Sequence, residues 1–304
     1  MNLMSYRIHG LTLASALALP ELVAVPEEQP PDAVVMVGTV PERLPEVEAE
    51  GPLWMAGKGE FLLAIPEVAR YRISGGNRIL VDAMPGVAAG DVRAYLLGTV
   101  LGMLLHQRGL LALHAGAIEV NGQVVAFAGH SGAGKSTLVA HLRQRGYRVI
   151  SDDTLAISFD AQGQPWARPS FARIKLWADA LKHLAHVPEQ LVRDLTRLEK
   201  FHLLVEEDRQ DTALPLASVI LLNENKLDDG IHLERLRGLE AVNALSRQTY
   251  KPRLLKAAGL GTLQFQHCSR AAGRIQVMSL RRPKALAHMN TVLDRLEASW
   301  NPAT

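Results

Sequence analysis

Apolar residues over the first ninety positions recur in short runs of strand length. Tyr6-Arg7-Ile8-His9-Gly10-Leu11-Thr12-Leu13 and residues 33–37 are candidate strands, separated by a proline-dense stretch at 26–31. Residues 61–65 and 69–73 follow, and Gly75-Gly76-Asn77 predicts a hairpin turn into Ile79-Leu80-Val81. From Asp91 the spacing changes. Tyr95, Leu96, Thr99, Val100, Met103 and Leu104 share one face of a helix that Asp91 caps and Gly109 ends. Residues 1–90 thus read as a small β-rich module, and 91–304 as a second domain joined to it by this helix.

Past the helix, strand and helix patterns alternate. Residues 111–116 and 117–120 read as strand, Asn121-Gly122 as a two-residue hairpin turn, and 123–128 as a buried strand. Leu138, Val139 and Leu142 follow at helical spacing in a segment that stops near Arg145-Gly146. Strand patterns recur at 147–150, 154–159 and 166–171, and residues 172–177 read as extended. Residues 179–201 have a helical pattern, and 218–224 form a buried strand with a polar end. Helices are expected at 238–247 and 253–258, a late strand at 274–280, and an amphipathic closing helix at 284–300. Met278, Met289 and Cys268 read as core.

Composition narrows the classes. The 304 residues are 48% hydrophobic, enough for a sizeable core, and the formal net charge is only +2 with Lys and Arg dispersed. No basic run or aromatic-interleaved stripe suggests a nucleic-acid partner. A single cysteine, Cys268, excludes an internal disulfide and fits a reducing cytoplasm, and no Cys/His spacing resembles a zinc site. The most apolar stretch, 94–105, is too short to span a bilayer, so no membrane association is expected.

One segment carries chemistry on its face. Gly129-His130-Ser131-Gly132-Ala133-Gly134-Lys135-Ser136-Thr137 fits G-x-x-x-x-G-K-[ST] at every fixed position, with a strand pattern before it and a helix pattern after it. Glycines let successive N–H groups turn inward around a polyphosphate, and the helix N-terminus adds free donors and partial positive charge. Lys135 can reach the β/γ-phosphates and the Ser136 hydroxyl can ligate Mg2+, which together predict ATP binding. Asp152 and Asp153 end the next strand, on the edge where an open α/β sheet binds ligands; both serve one site only if the backbone turns there. One carboxylate can hold Mg2+ while the other accepts a proton from an attacking hydroxyl. Arg173 and Lys175 share a face of an extended segment, which suits either an acidic acceptor and transferring phosphate or plain solvation. The strand at 218–224 resembles a Walker-B strand, but Asn223 stands where the metal-binding Asp belongs and no L-S-G-G-Q signature occurs.

Leu113-His114-Ala115-Gly116, the Asn-Gly hairpin, the glycine loop and Arg145-Gly146-Tyr147-Arg148-Val149-Ile150-Ser151-Asp152-Asp153 together resemble the catalytic domain of the HPr kinase/phosphorylase family. The resemblance covers residues 111–160 well. It implies an α/β P-loop kinase domain similar to phosphoenolpyruvate carboxykinase, preceded by the β-rich N-terminal module. It also implies that His114 and Asp153 act near the transferred phosphate, with Asp152 assisting the metal or the acceptor. Thr137 replaces the acidic residue that bifunctional members carry after Lys-Ser, and their later glycine-rich signature is missing, so the reverse phosphorolysis is not implied. The N-terminal segment 6–15 and Pro169-Ser170-Phe171-Ala172-Arg173-Ile174-Lys175-Leu176-Trp177 look like those of HPr-kinase-related proteins of lasso peptide biosynthesis, which phosphorylate the C-terminal serine of a precursor peptide.

The expectation is therefore an ATP- and Mg2+-dependent serine kinase with catalytic Asp153, Asp152, His114 and Lys135, acting on a peptide or protein such as a lasso precursor peptide that the N-terminal module helps recognise. A nucleotide-dependent switch or assembly ATPase and a kinase of a small-metabolite hydroxyl stay open as alternatives, as does a homo-oligomer.

Overall fold

Burial alternates along the early strands and gathers them into one sheet. A computed structural model describes residues 3–26, 30–170, 212–224, 230–283 and 286–300, together with the backbone alone of 173–177, 192–193 and 200–204. The first sheet comprises β1 (Met4–Ile8), β2 (Leu11–Ser15), β3 (Val23–Ala24), β4 (Ala33–Val37), β5 (Ala49–Gly51), β6 (Trp54–Gly57), β7 (Glu60–Ile65), β8 (Ala69–Ser74) and β9 (Arg78–Ala83), in the order β3-β1-β2-β4-β9-β8-β7-β6-β5. Tyr71 and Ile73 of β8 and Ile79 and Val81 of β9 are buried and alternate with more exposed neighbours, so one face of the sheet is apolar and buried. The run from Tyr6 to Leu13, read as a single strand, is instead a hairpin. It folds at His9-Gly10, whose φ angles of 53° and 68° reverse the chain and pair Ile8 with Leu11.

The apolar face is covered by one helical rod made of α1 (Ala89–Tyr95), a π-helical turn (Leu96–Val100) and α2 (Leu101–Gln107). Leu96, Val100, Met103 and Leu104 pack there against Tyr6, Val35, Phe61, Tyr71 and Val81. Full burial of a side chain of this kind is worth about 1.5–3 kcal/mol, so this face holds the helix to the sheet. Gly109, at φ 73°, closes the rod as expected, but the cap position is Ala88 rather than Asp91. Asp91 lies inside the first turn, where a carboxylate still meets the positive end of the helix.

The second half comprises β10 (Leu111–Leu113), β11 (Ala115–Val120), β12 (Gln123–Ala128), α3 (Lys135–Gln144), β13 (Val149–Ser151), β14 (Leu155–Phe159), β15 (Pro165–Arg168), β16 (Arg173–Trp177), β17 (Val192–Arg193), β18 (Lys200–Leu204), β19 (Leu214–Glu224), β20 (His232–Leu236), α4 (Gly238–Gln248), α5 (Pro252–Ala257), α6 (Gly261–Ala272), β21 (Gln276–Arg282) and α7 (Met289–Trp300). Its main sheet runs β10-β14-β15-β19-β12-β11-β13, with β21 added to β19 and β20 to β21. At the centre β12, β19 and β21 are parallel. Helices α3 and α7 cover one face through Leu138, Val139, Leu142, Val292 and Leu296, while Leu245 of α4 and Cys268 of α6 pack on the other. The fold is thus mixed α/β with two large mixed sheets.

Several sequence expectations change here. The run 111–116 is broken at His114, where the chain leaves β10 and enters β11. Residues 192–193 and 200–204 are strands paired with each other and, through β18, with β16, not part of a helix; the rest of that expected helix lies outside the described residues. The hairpin at Asn121-Gly122 is as expected, with φ of 50° and 74°, the two left-handed residues of a type I′ turn. The two halves meet where the His9 N–H donates to the Pro169 carbonyl at 3.0 Å, next to Arg168. His9 is 1% exposed there.

Candidate active site

Three chain segments converge on one edge of the second sheet, and strand direction explains why. β11 runs antiparallel to both β12 and β13, pairing Ala115 with Ala128 and Ala117 with Ser151. The start of β11 therefore lies beside the ends of β12 and β13. His114 precedes β11, the glycine loop follows β12, and Asp152-Asp153 follow β13. The backbone bends at both His114 and Asp152-Asp153, because β10 and β14 then pair with each other away from this edge. This is the turn that two adjacent carboxylates need to differ in direction.

They do differ. Asp152 is 3% exposed and Asp153 is half-buried. The His114 Nδ1 lies 3.2 Å from Asp153 Oδ1 and 3.0 Å from the Asp153 carbonyl oxygen. Both neighbours are acceptors, which assigns the proton to Nδ1. The main chain here is held by the His114 backbone N–H donating to the Gln248 carbonyl at 2.8 Å, and the ring makes an edge contact with Tyr250 at 6.0 Å between ring centroids. Sequence reading did not select Tyr250, which approaches from the junction of α4 and α5.

The loop itself runs from β12 into α3. Gly132 and Gly134 adopt φ of 83° and 86°, conformations that side chains with a Cβ rarely take, and Gly134 is the cap position of α3. Lys135 is 6% exposed, and its Nζ donates to the carbonyls of Gly129 at 2.8 Å and His130 at 3.1 Å. The ammonium is thereby held against the loop. Ser136 and Thr137 begin α3 and are half-buried, while His130 and Ser131 are exposed and Ala133 is buried. Arg173 and Lys175 lie on the backbone of β16, which passes beside α3; their side chains lie outside the described residues. The preceding segment is tied to the Asp pair's strand, since the Ser170 N–H donates to the Ile150 carbonyl at 3.0 Å.

On the opposite side of the loop, a small cavity is lined by His130, Ala133, Asn223, Glu224 and Arg282. β19 and β21 run parallel to β12, so their last residues, Asn223-Glu224 and Arg282, reach the same edge. The rule that ligand-facing residues sit at the ends of parallel strands would have pointed to Arg281-Arg282 in the sequence. Asn223, set aside as a Walker-B mismatch, donates to the Ser279 hydroxyl at 2.9 Å. A larger cavity of about 570 Å³ lies elsewhere, over Val34, Met36 and Leu80 on the outer face of the first sheet, and none of the loop or acidic residues lines it. No helix among the described residues is long and apolar enough to cross a membrane.

No protein-family model matches the chain, and no curated protein matches it. Among solved structures it is similar to the HPr(Ser) kinase/phosphatase from Coxiella burnetii, at 15% sequence identity and a TM-score of 0.32, over 62% of this chain and 98% of that one. An identity and a score that low do not define a family, and the functional reading rests on the residues of the site.

Proposed function

We propose that the chain is an ATP-dependent serine kinase that transfers the γ-phosphoryl group to a hydroxyl of a peptide or protein, with the C-terminal serine of a lasso precursor peptide as the first candidate acceptor. The observation that carries this reading is the His114–Asp153 pair, 3.2 Å apart, on the same sheet edge as the glycine loop. A loop alone would suit any nucleotide-binding protein. A carboxylate fixed beside it by a histidine supplies the proton acceptor that transfer to an alcohol requires.

In this reading the loop N–H groups of 129–134 and the start of α3 hold the β- and γ-phosphates. Lys135 exchanges its bonds to the Gly129 and His130 carbonyls for phosphate oxygens and spreads the charge of the transferring group. Asp153 takes the proton of the acceptor hydroxyl as its oxygen attacks the γ-phosphorus, the bond to the bridging oxygen breaks and ADP leaves; His114 holds that carboxylate in place. The donors available for a metal are the Ser136 hydroxyl and the Asp152 carboxylate. Among the described residues no three metal-binding side chains cluster. That hard-oxygen set suits Mg2+, which takes one or two protein oxygens and completes its shell with phosphate and water. When bound, Mg2+ would neutralise phosphate charge.

Intact-mass analysis of a serine-ending precursor peptide incubated with the protein and Mg-ATP tests the reading. A gain of one phosphate is expected, absent with Asp153→Asn and with a peptide lacking the serine, while Asp153→Asn retains nucleotide affinity. No gain with nucleotide still bound would sink the peptide-kinase reading and favour a metabolite hydroxyl or a switch. Loss of nucleotide binding together with transfer would assign Asp153 to the metal.

A further inference from the structure

Among the described residues Arg282 is the one buried guanidinium at this edge, and nothing in the proposed chemistry uses it. It ends β21 at 3% exposure. One Nη donates to the Ala133 carbonyl at 3.1 Å and the other to the Pro283 carbonyl at 3.2 Å. The Nε is buried and has no hydrogen-bond partner among the described residues. Among the described residues no carboxylate oxygen pairs with it; Glu224 lies near enough only to act through its field. Burial holds its pKa below the ordinary arginine value, with the Glu224 charge acting the other way.

An ion held by two carbonyls, with one donor idle and no counter-charge in contact, is an expensive way to fill a core. The surrounding chain nevertheless accommodates it. A Cβ on Gly134 would stand 2.7 Å from Arg282 Nη2, so a side chain on the third glycine of the loop would displace the guanidinium from its place against Ala133. The cation also sits against the outside of the very loop whose interior is a candidate phosphate cradle. A trans peptide sets its C=O and N–H in opposite directions, so pointing the Ala133 carbonyl at Arg282 turns the Gly134 N–H away from the guanidinium. What a buried cation lacks here, a polyphosphate has.

We propose that Arg282 is a positioning residue of the phosphate site: it anchors the loop through the Ala133 carbonyl and sets a fixed positive charge behind the cradle that a bound polyphosphate balances. The proposal rests on the nucleotide-binding reading above and adds a residue to it. Its signature is a pair of effects with opposite signs. A residue that merely supports the fold loses stability when it is replaced; a charge buried for a ligand loses affinity while the empty protein keeps or gains stability.

The test is titration of the full-length protein with Mg-ATP by calorimetry, alongside thermal unfolding without ligand, for the wild type, Arg282→Met and Arg282→Lys. Arg282→Met should weaken Mg-ATP about tenfold or more, with an unliganded Tm equal to or above wild type. Arg282→Lys keeps the charge but not the two-pronged grip, and should fall between the two in affinity. Wild-type affinity in Arg282→Met, or a fall in Tm together with affinity, overturns the proposal. Should Arg282→Met not fold, Arg282→Lys decides: lowered affinity at unchanged Tm upholds it, and unchanged affinity at lowered Tm overturns it. If the wild type itself binds no Mg-ATP, the nucleotide reading fails first and takes this one with it.

Discussion

Gly132 and Gly134 have nearly the same backbone angle but different surroundings. A Cβ on Gly132 meets open space, whereas one on Gly134 meets Arg282. Alanine at either position bears the strain of a left-handed conformation, about 1–2 kcal/mol. Only Gly134→Ala also displaces the guanidinium. Gly134→Ala is therefore expected to lose clearly more affinity for a fluorescent ATP analogue than Gly132→Ala, and equal losses would mean that strain alone governs the loop. At this scale the sequence was informative where the signal is local. The loop is contiguous, so its nine positions could be read directly. Asp153 and His114 flank different strands, β13 and β11, and only resemblance to a family brought them together beforehand. Arg282 comes from a strand far along the chain, next to a proline and with no motif around it, so nothing short of the parallel pairing of β12, β19 and β21 would have placed it beside Ala133.

Between elements, β11 approaches α3 closely near the site. A Cβ on Gly116 would lie 2.7 Å from Val139 Cγ2 and 3.4 Å from the Asp152 carbonyl oxygen. Gly116 has no left-handed φ, so alanine there tests space alone. Gly116→Ala should destabilise the protein by about 1–3 kcal/mol through overpacking, and Val139→Ala in the same chain should restore much of that loss. Urea unfolding of the single and double variants measures it; additive losses would show that the two positions do not share that space. Element type was legible wherever apolar residues alternate, as in β8 and β9, or where turn chemistry is explicit, as at Asn121-Gly122. It was not legible where tertiary contacts decide. The π turn fits around Tyr250, the break at His114 comes from β10 pairing with β14, and α6 hides one buried cysteine among polar residues. Short or mostly exposed strands such as β3 and β20 show too little alternation to be read.

Across the whole molecule, the joint between the two halves contains a histidine that burial keeps neutral. His9 is pushed down to about 4 by its burial, with the Arg168 guanidinium acting in the same direction. A folded value below the ordinary 6.5 means that the unfolded chain binds the proton more readily. The stabilising effect is therefore complete above about pH 6.5 and is lost as the pH falls toward 4. Between pH 7 and pH 5 its share is on the order of 2 kcal/mol. His9→Asn, whose side chain tolerates the φ of 53°, should show a smaller drop in urea midpoint between those two pH values than the wild type. An identical drop would assign the acid sensitivity to other groups, His106 first among them, since burial also lowers it to about 4.

The ring of Tyr250 makes contact in two directions. On one side it rests on Gly98 and Gly102, where a Cβ would come within 3.5 Å of its hydroxyl and 2.5 Å of its ring. On the other it meets the edge of His114. The histidine beside the proposed base is thus footed, at one remove, on the helix that closes the N-terminal sheet. Trimming the first ninety residues to obtain a minimal catalytic fragment would uncover Leu96, Val100 and Met103 and loosen that footing. Inactivity of such a fragment would report a collapsed foundation, and would say nothing about whether the missing strands recognise a peptide.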